Sequence, residues 1–169
     1  KADLMHGANV LAHVPDIGDF VAGFPHVLKP EGTLSFEFPH LLRLIEKVQF
    51  DTIYHEHFSY LSLVAVDRVL AANGLRAYDV EELWTHGGSL RLYCCHAAAP
   101  FEETEALKAV RAAERAAKLD RIEGYEGFAA RTAEVRDGFL AYLAEARAAG
   151  RKIAAYGAAA KGNTFLNYA

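Results

Sequence analysis

Hydrophobic and polar positions in the first hundred residues switch between strand-like runs and helical spacing. Ala2–Leu11 reads as a buried strand running into a turn, with Asn9 and His13 as the polar residues at its carboxyl end. Pro15 suits the first turn of a helix, and Ile17, Phe20, Val21, Phe24 and Val27 follow at helical spacing as far as Leu28. Lys29-Pro30-Glu31-Gly32 reads as a turn and Thr33–Phe38 as a second strand. Strand, helix, turn and strand in that order predict a βαβ unit, with parallel neighbouring strands joined by a right-handed crossover.

The pattern then predicts a short helix over Pro39–Val48 and a longer one over Leu63–Asn73. Val66, Val69 and Leu70 form the buried face of the longer helix, and Gly74 caps its end. Leu75–Leu83 and Ser89–His96 read as a hairpin pair of strands. A composition break at Ala97-Ala98-Ala99-Pro100 separates residues 1–98 from a helical connector over 99–149. In the connector, Leu107, Val110, Ala117 and Leu119, then Phe128, Val135, Phe139 and Leu143, predict two helices broken near Gly124–Gly127. Its charged residues are expected to form a solvated face. Residues 150–169 begin a further unit, with a strand at Arg151–Gly157 leading into a helix. The fold class is therefore α/β.

A chain of 169 residues with 52% hydrophobic content can bury a core and is one domain or slightly more. A net charge of −4 without a basic block argues against a nucleic-acid partner. No apolar run approaches the roughly 18 residues a membrane span needs, and no signal peptide is visible. Cys94 and Cys95 are adjacent in a strand, so they point to opposite faces and lack zinc spacing; a reducing cytoplasm is the expected location. The chain opens in a strand pattern at Lys1 and stops in a helical pattern at Ala169, so it is expected to be part of a longer protein.

Chemistry concentrates in Phe50–Leu61, where Tyr54, His55, Glu56 and His57 are consecutive. An imidazole beside a carboxylate is the usual material of a general base working near neutral pH. Extended backbone would put Tyr54 and Glu56 on one side and His55 and His57 on the other, whereas a tight turn could bring all four together. Ligands of such sheets sit beyond the carboxyl ends of the strands, where Asn9 and His13 also fall. Two further stretches carry donors. In Trp84–Ser89 the glycines allow close backbone approach, with Ser89 and Arg91 beside them; an ordinary hairpin loop explains Gly87-Gly88 equally well. In Gly157–Thr164 a strand ends before a helix start near Lys161, although Asn163 replaces the lysine that a Walker A loop requires.

With these pieces in place, the sequence resembles the S-adenosylmethionine-dependent sugar C-methyltransferases that act on nucleotide-linked 4-keto-deoxysugars. The matching stretches are A-N-V-L-A-H-V-P-D (8–16), F-E-F-P-H (36–40), Q-F-D-T-I-Y-H-E-H-F-S-Y-L (49–61), T-H-G-G-S-L-R (85–91) and A-A-Y-G-A-A-A-K-G-N-T (154–164). Y-H-E-H-F-S-Y is the specific one. The resemblance implies a partial Rossmann-like class I methyltransferase fold over 1–98, the helical connector over 99–149, and the start of a second Rossmann-like domain over 150–169. It implies that the main cofactor loop and a zinc-binding module precede Lys1, and that this chain holds no metal of its own.

The resemblance also assigns roles. His57 is the general base, removing the proton next to the sugar ketone. Tyr54 and Glu56 position the substrate or polarise the ketone, His13 shares the pocket, and Asn9 lies near the cofactor. His86, Gly88, Ser89, Arg91, Lys161 and Asn163 are the expected substrate contacts. Three alternatives stay open: a methyltransferase acting on another small molecule, a metal site at His13, His55, Glu56 and His57, and a non-catalytic sugar-nucleotide binder.

Overall fold

The computed structural model describes residues 1–157 and 159–169. In chain order its elements are β1 (Ala2–Ala8), α1 (Ile17–Ala22), α2 (Phe24–Val27), β2 (Leu28–Pro39), α3 (Leu41–Glu46), α4 (Leu63–Ala72), β3 (Leu75–Leu83), β4 (Ser89–His96), α5 (Glu105–Ala116), α6 (Phe128–Ala148) and α7 (Ala160–Tyr168). The strands make one open sheet in the order β1-β2-β4-β3. β1 and β2 are parallel, as the βαβ pattern predicts, and β4 lies antiparallel to both β2 and β3. This is a mixed α/β sheet of the partial Rossmann-like type.

The hairpin therefore enters the sheet by its second strand. β4 carries the more continuous apolar run, and its buried Leu90, Leu92, Cys94 and Cys95 suit an interior position better than β3, which carries Glu81 and Glu82. Cys94 and Cys95 are free thiols, both buried.

Three expectations are corrected. β1 is not a buried strand: it pairs on one side only, and most of its residues are exposed or half-buried. The helix expected over Pro15–Leu28 is two short helices, because Gly23 ends the first and Pro25 lies in the opening turn of the second. The expected turn at Lys29–Gly32 lies inside β2 as a bulge. Ala2 pairs with Leu28 and Leu4 with Thr33, so those four residues face Asp3 alone. The Lys29 ammonium donates to both Asp3 carboxylate oxygens at 2.8 Å across this gap.

A fourth correction concerns Arg151–Gly157, which forms no strand. A strand needs a neighbour for its backbone groups, and the described residues provide none alongside it. Ala158 lies outside the described residues. The helix expected after it is present as α7.

The helices start where capping chemistry allows. Asp16, Ser62 and Thr104 accept from the backbone N–H of Asp19, Ala65 and Leu107 at the starts of α1, α4 and α5, contacts typically worth about 1 kcal/mol each. Gly74 follows α4 at φ +69, a left-handed conformation in which a side chain would be strained. One core joins the sheet to α1, α4 and α5, with Phe36, Phe38, Leu70, Leu92 and Leu107 fully buried.

The connector is not a loose tether. Arg76 donates to the carbonyls of Ala99 and Phe101, at 2.8 and 2.6 Å, and the Phe101 ring stacks on Tyr78 at 4.5 Å. Nor are its charges all solvated. Arg111 of α5 donates to Asp67 of α4 at 2.7 Å, and Glu114 is fully buried.

Candidate active site

β2 ends at Pro39, and the chain returns to the sheet's carboxyl rim through the loop that carries the polar cluster. A 3-10 turn at Phe50–Thr52 precedes a tight turn closed by the His57 N–H donating to the Tyr54 carbonyl at 3.0 Å. The loop is pinned to the segment after β1, because the N–H groups of Phe58 and Ser59 donate to the Ala12 carbonyl at 2.8 and 3.3 Å. This pinning brings His13 against His57, edge to face with ring centres 4.9 Å apart.

The turn brings together only half of the consecutive cluster. Tyr54 and His57 occupy its two ends, and their rings lie 4.3 Å apart on one side. His55 and Glu56 form its corners and point to solvent. Tyr60 closes the far side of His57 at 6.0 Å. The extended alternative, which would have separated Tyr54 from His57, does not occur.

His57 is set up as a base. Its Nδ1 lies 2.9 Å from the Thr52 carbonyl, which can only accept, so Nδ1 carries the proton and Nε2 keeps its lone pair. Burial is the main influence pushing its pKa below the ordinary imidazole value, and His13 and Lys161 push the same way. The Thr52 carbonyl and Glu56 act in the opposite direction and do not cancel the shift. Burial also raises the phenols of Tyr54 and Tyr60, which therefore stay protonated as donors beside the base.

A cavity of about 130 Å³ opens at this point, lined by Asn9, Ala12, His13, Pro39, Thr52, Tyr54, His57, His86 and Lys161. Its described lining holds three imidazoles, a phenol and an ammonium, and no carboxylate. Such a surface favours a group that carries or develops negative charge. Asn9 takes a left-handed conformation at φ +56 while its N–H donates to the Glu37 carbonyl at 2.7 Å. Its Oδ1 is buried and has no hydrogen-bond partner. His86 reaches the cavity from the 85–87 turn, itself left-handed at φ +54.

Lys161 comes from far along the chain. The aromatic rings of α7 seat on the 3-10 turn before the cluster, with Phe165 and Tyr168 at 5.7 and 5.1 Å from Phe50. Lys161 also lines a larger cavity of about 900 Å³ with Asp51, Tyr156, Gly157 and Asn163.

Other expected contacts stand apart from the smaller cavity. The Arg91 guanidinium donates to Glu37 at 2.9 Å and to Glu81 at 3.2 Å, so its charge is already paired. Ser89 is buried and donates to the Thr85 carbonyl at 3.0 Å. Gly88 has its N–H on Thr85 and its carbonyl on the His40 N–H, and the Arg43 side chain fills the space a Cβ would need. These residues build the turn that presents His86. Glu56 faces solvent, and Asn163 lines only the larger cavity, where its side-chain oxygen accepts from Asn167 at 3.0 Å.

Sequence reasoning overlooked Thr52, whose contribution is a backbone carbonyl without a side-chain signature. It also overlooked Glu114, which the helical charge pattern disguised as solvated. Among the described residues, no three His, Cys, Asp or Glu side chains gather as metal ligands, so His13, His55, Glu56 and His57 do not form a ligand set.

A family model described as the C-methyltransferase C-terminal domain matches residues 84–169, half of the chain. The chain belongs to the C-methyltransferase family. It is 38% identical over 165 residues to C-methyltransferase NovU of Streptomyces niveus, a match covering 98% of this chain and 39% of that relative's length. In this C-methyltransferase chain the family match takes in β4, the His86 turn and α7 with Lys161, while His57 stands outside it in the preceding sheet unit. The small cavity is thus lined by residues from both sides of the match boundary.

Proposed function

We propose that the chain contributes the acid–base half of an S-adenosylmethionine-dependent C-methyltransferase acting on a nucleotide-linked 4-keto-deoxysugar. The observation that carries this reading is His57: Nδ1 held by the Thr52 carbonyl, a pKa pushed down by burial, and a place in a cavity whose described lining has no carboxylate. A proton next to a ketone is only weakly acidic, so removing it needs both a base and donors at the oxygen that becomes the enolate. His57 Nε2 takes the proton. Tyr54, His13 and Lys161 line the same cavity and would stabilise the developing oxyanion, and the half-buried setting strengthens such interactions.

Asn9 supports a methyl donor alongside, because its buried Oδ1 lacks the donor that a hydroxyl or ammonium of such a group could supply. When bound, S-adenosylmethionine supplies a sulfonium methyl, which requires alignment with the nucleophilic carbon rather than activation. Lys161 and the larger cavity beside α7 offer charge and room for the diphosphate and nucleoside. The test is His57→Ala in the complete protein. Methyl transfer should fall severely while cofactor affinity stays near normal; a variant with wild-type turnover refutes the assignment.

A further inference from the structure

Glu114 and His40 are the most deeply buried ion pair among the described residues, and the mechanism above does not use them. Their side chains are 0% and 1% exposed, and His40 Nε2 donates to Glu114 Oε1 at 2.7 Å. The same carboxylate accepts the N–H of Leu63 at 2.7 Å and of Val64 at 2.8 Å, the first two residues of α4. A carboxylate there completes the helix start, taking the N–H groups of Leu63 and Val64 while Ser62 takes that of Ala65.

His40 is equally committed through its backbone. Its N–H donates to the Gly88 carbonyl at 3.0 Å, fixing the turn that presents His86. It bridges in parallel to Leu61, and the next N–H, of Leu41, donates to the Leu61 carbonyl at 2.9 Å. Leu61 is the residue at which the Tyr54–Tyr60 loop ends. His40 also follows Pro39, which lines the cavity. One carboxylate on α5 thus holds, through one imidazole, the end of β2, the exit of the His57 loop and the His86 turn.

We propose that Glu114 is a positioning residue for the catalytic cavity, acting through His40 rather than touching the substrate. This rests on the reading of His57 as the base. Bearing a charge in a dry core is costly unless the group is fully paired, and Glu114 is paired three times. A hydrophobic contact would hold α5 on the sheet as well, but it would not set the angular position of His40. Loss of the carboxylate lets the three rim segments drift relative to one another, and small misplacements of reacting groups reduce turnover far more than binding.

The experiment uses the complete protein and compares wild type, His57→Ala and Glu114→Gln, well below the melting temperature of each. We expect Glu114→Gln to lower kcat by about tenfold or more with KM changed less than about threefold. Combined with His40→Leu it should be no worse than the poorer single variant, because both break one relay. A lower melting temperature with unchanged kcat overturns the proposal, since that is what a purely structural pair would give. Should Glu114→Gln not fold, His40→Gln against His40→Leu decides. The glutamine amide can still donate to Glu114 and should keep more turnover; equal turnover of the two overturns the proposal. If His57→Ala is as active as wild type, the underlying reading has failed, and that outcome is distinct from Glu114→Gln behaving as wild type while His57→Ala is inactive.

Discussion

The Nδ1–H of His57 donates to the main-chain carbonyl of Thr52 at 2.9 Å, five residues earlier in the same loop. A carbonyl cannot donate in return, so this contact selects the tautomer and leaves Nε2 as the basic atom. The selection costs no side chain and no charge, and it keeps the cavity free of an acidic partner that would raise the imidazole pKa.

The pH dependence follows. Burial holds the His57 pKa below its ordinary value of 6.5, so the neutral, basic form predominates at pH 7. The acidic limb of the kcat/KM profile, of slope one, should be centred below pH 6.5. Folding stability has the same sign: the unfolded chain binds more protons in that window, so stability rises with pH up to about 6.5 and levels off above it. A kinetic limb at or above 6.5 would contradict the depressed value.

Tyr54 supplies both a donor and a wall. Tyr54→Phe keeps the ring against His57 and removes only the hydroxyl, so kcat should drop about tenfold with the acidic limb unmoved. Tyr54→Ala uncovers the imidazole, and the limb should move upward toward 6.5 as desolvation is relieved. Rate profiles of the two variants separate the roles.

Phe50 joins the site to α7. Phe50→Ala removes a buried ring that packs on Phe165 and Tyr168, and should cost about 3 kcal/mol of stability by denaturant titration. With α7 unseated, Lys161 leaves the cavity. KM for the sugar nucleotide should then rise, and Lys161→Met should reproduce that rise without the stability loss.

Arg91 and Lys161 should behave oppositely. Both are cations near the rim, but Arg91 is neutralised by Glu37 and Glu81. Arg91→Met should leave KM within about twofold, the result expected for a guanidinium whose donors are already spent within the protein. A large KM effect would mean that the pairs open to receive a phosphate.

Much of this architecture is readable from local pattern. The βαβ pairing of β1 with β2, the α4 cap at Gly74 and the β3–β4 hairpin all follow from periodicity and turn residues. So does the placement of Asn9, His13 and His57 on one rim. What escaped is non-local. The apolar run of β4 marks it as an interior strand but does not name β2 as its neighbour, and nothing in the Ala-rich connector distinguishes Glu114 from neighbours that stay in water. Arg91 reads as a free donor until Glu37 and Glu81 arrive from other strands. The stretch Arg151–Gly157 has strand composition but no pairing partner among the described residues, and strands are made by pairing rather than by propensity.

The most direct test of the central claim is proton exchange at the sugar carbon next to the ketone, followed by NMR in D2O without methyl transfer. The complete wild-type protein should wash deuterium into that position, and His57→Gln should abolish the exchange while Glu56→Gln retains most of it. Exchange by His57→Gln at the wild-type rate would show that another group takes the proton and would overturn the account.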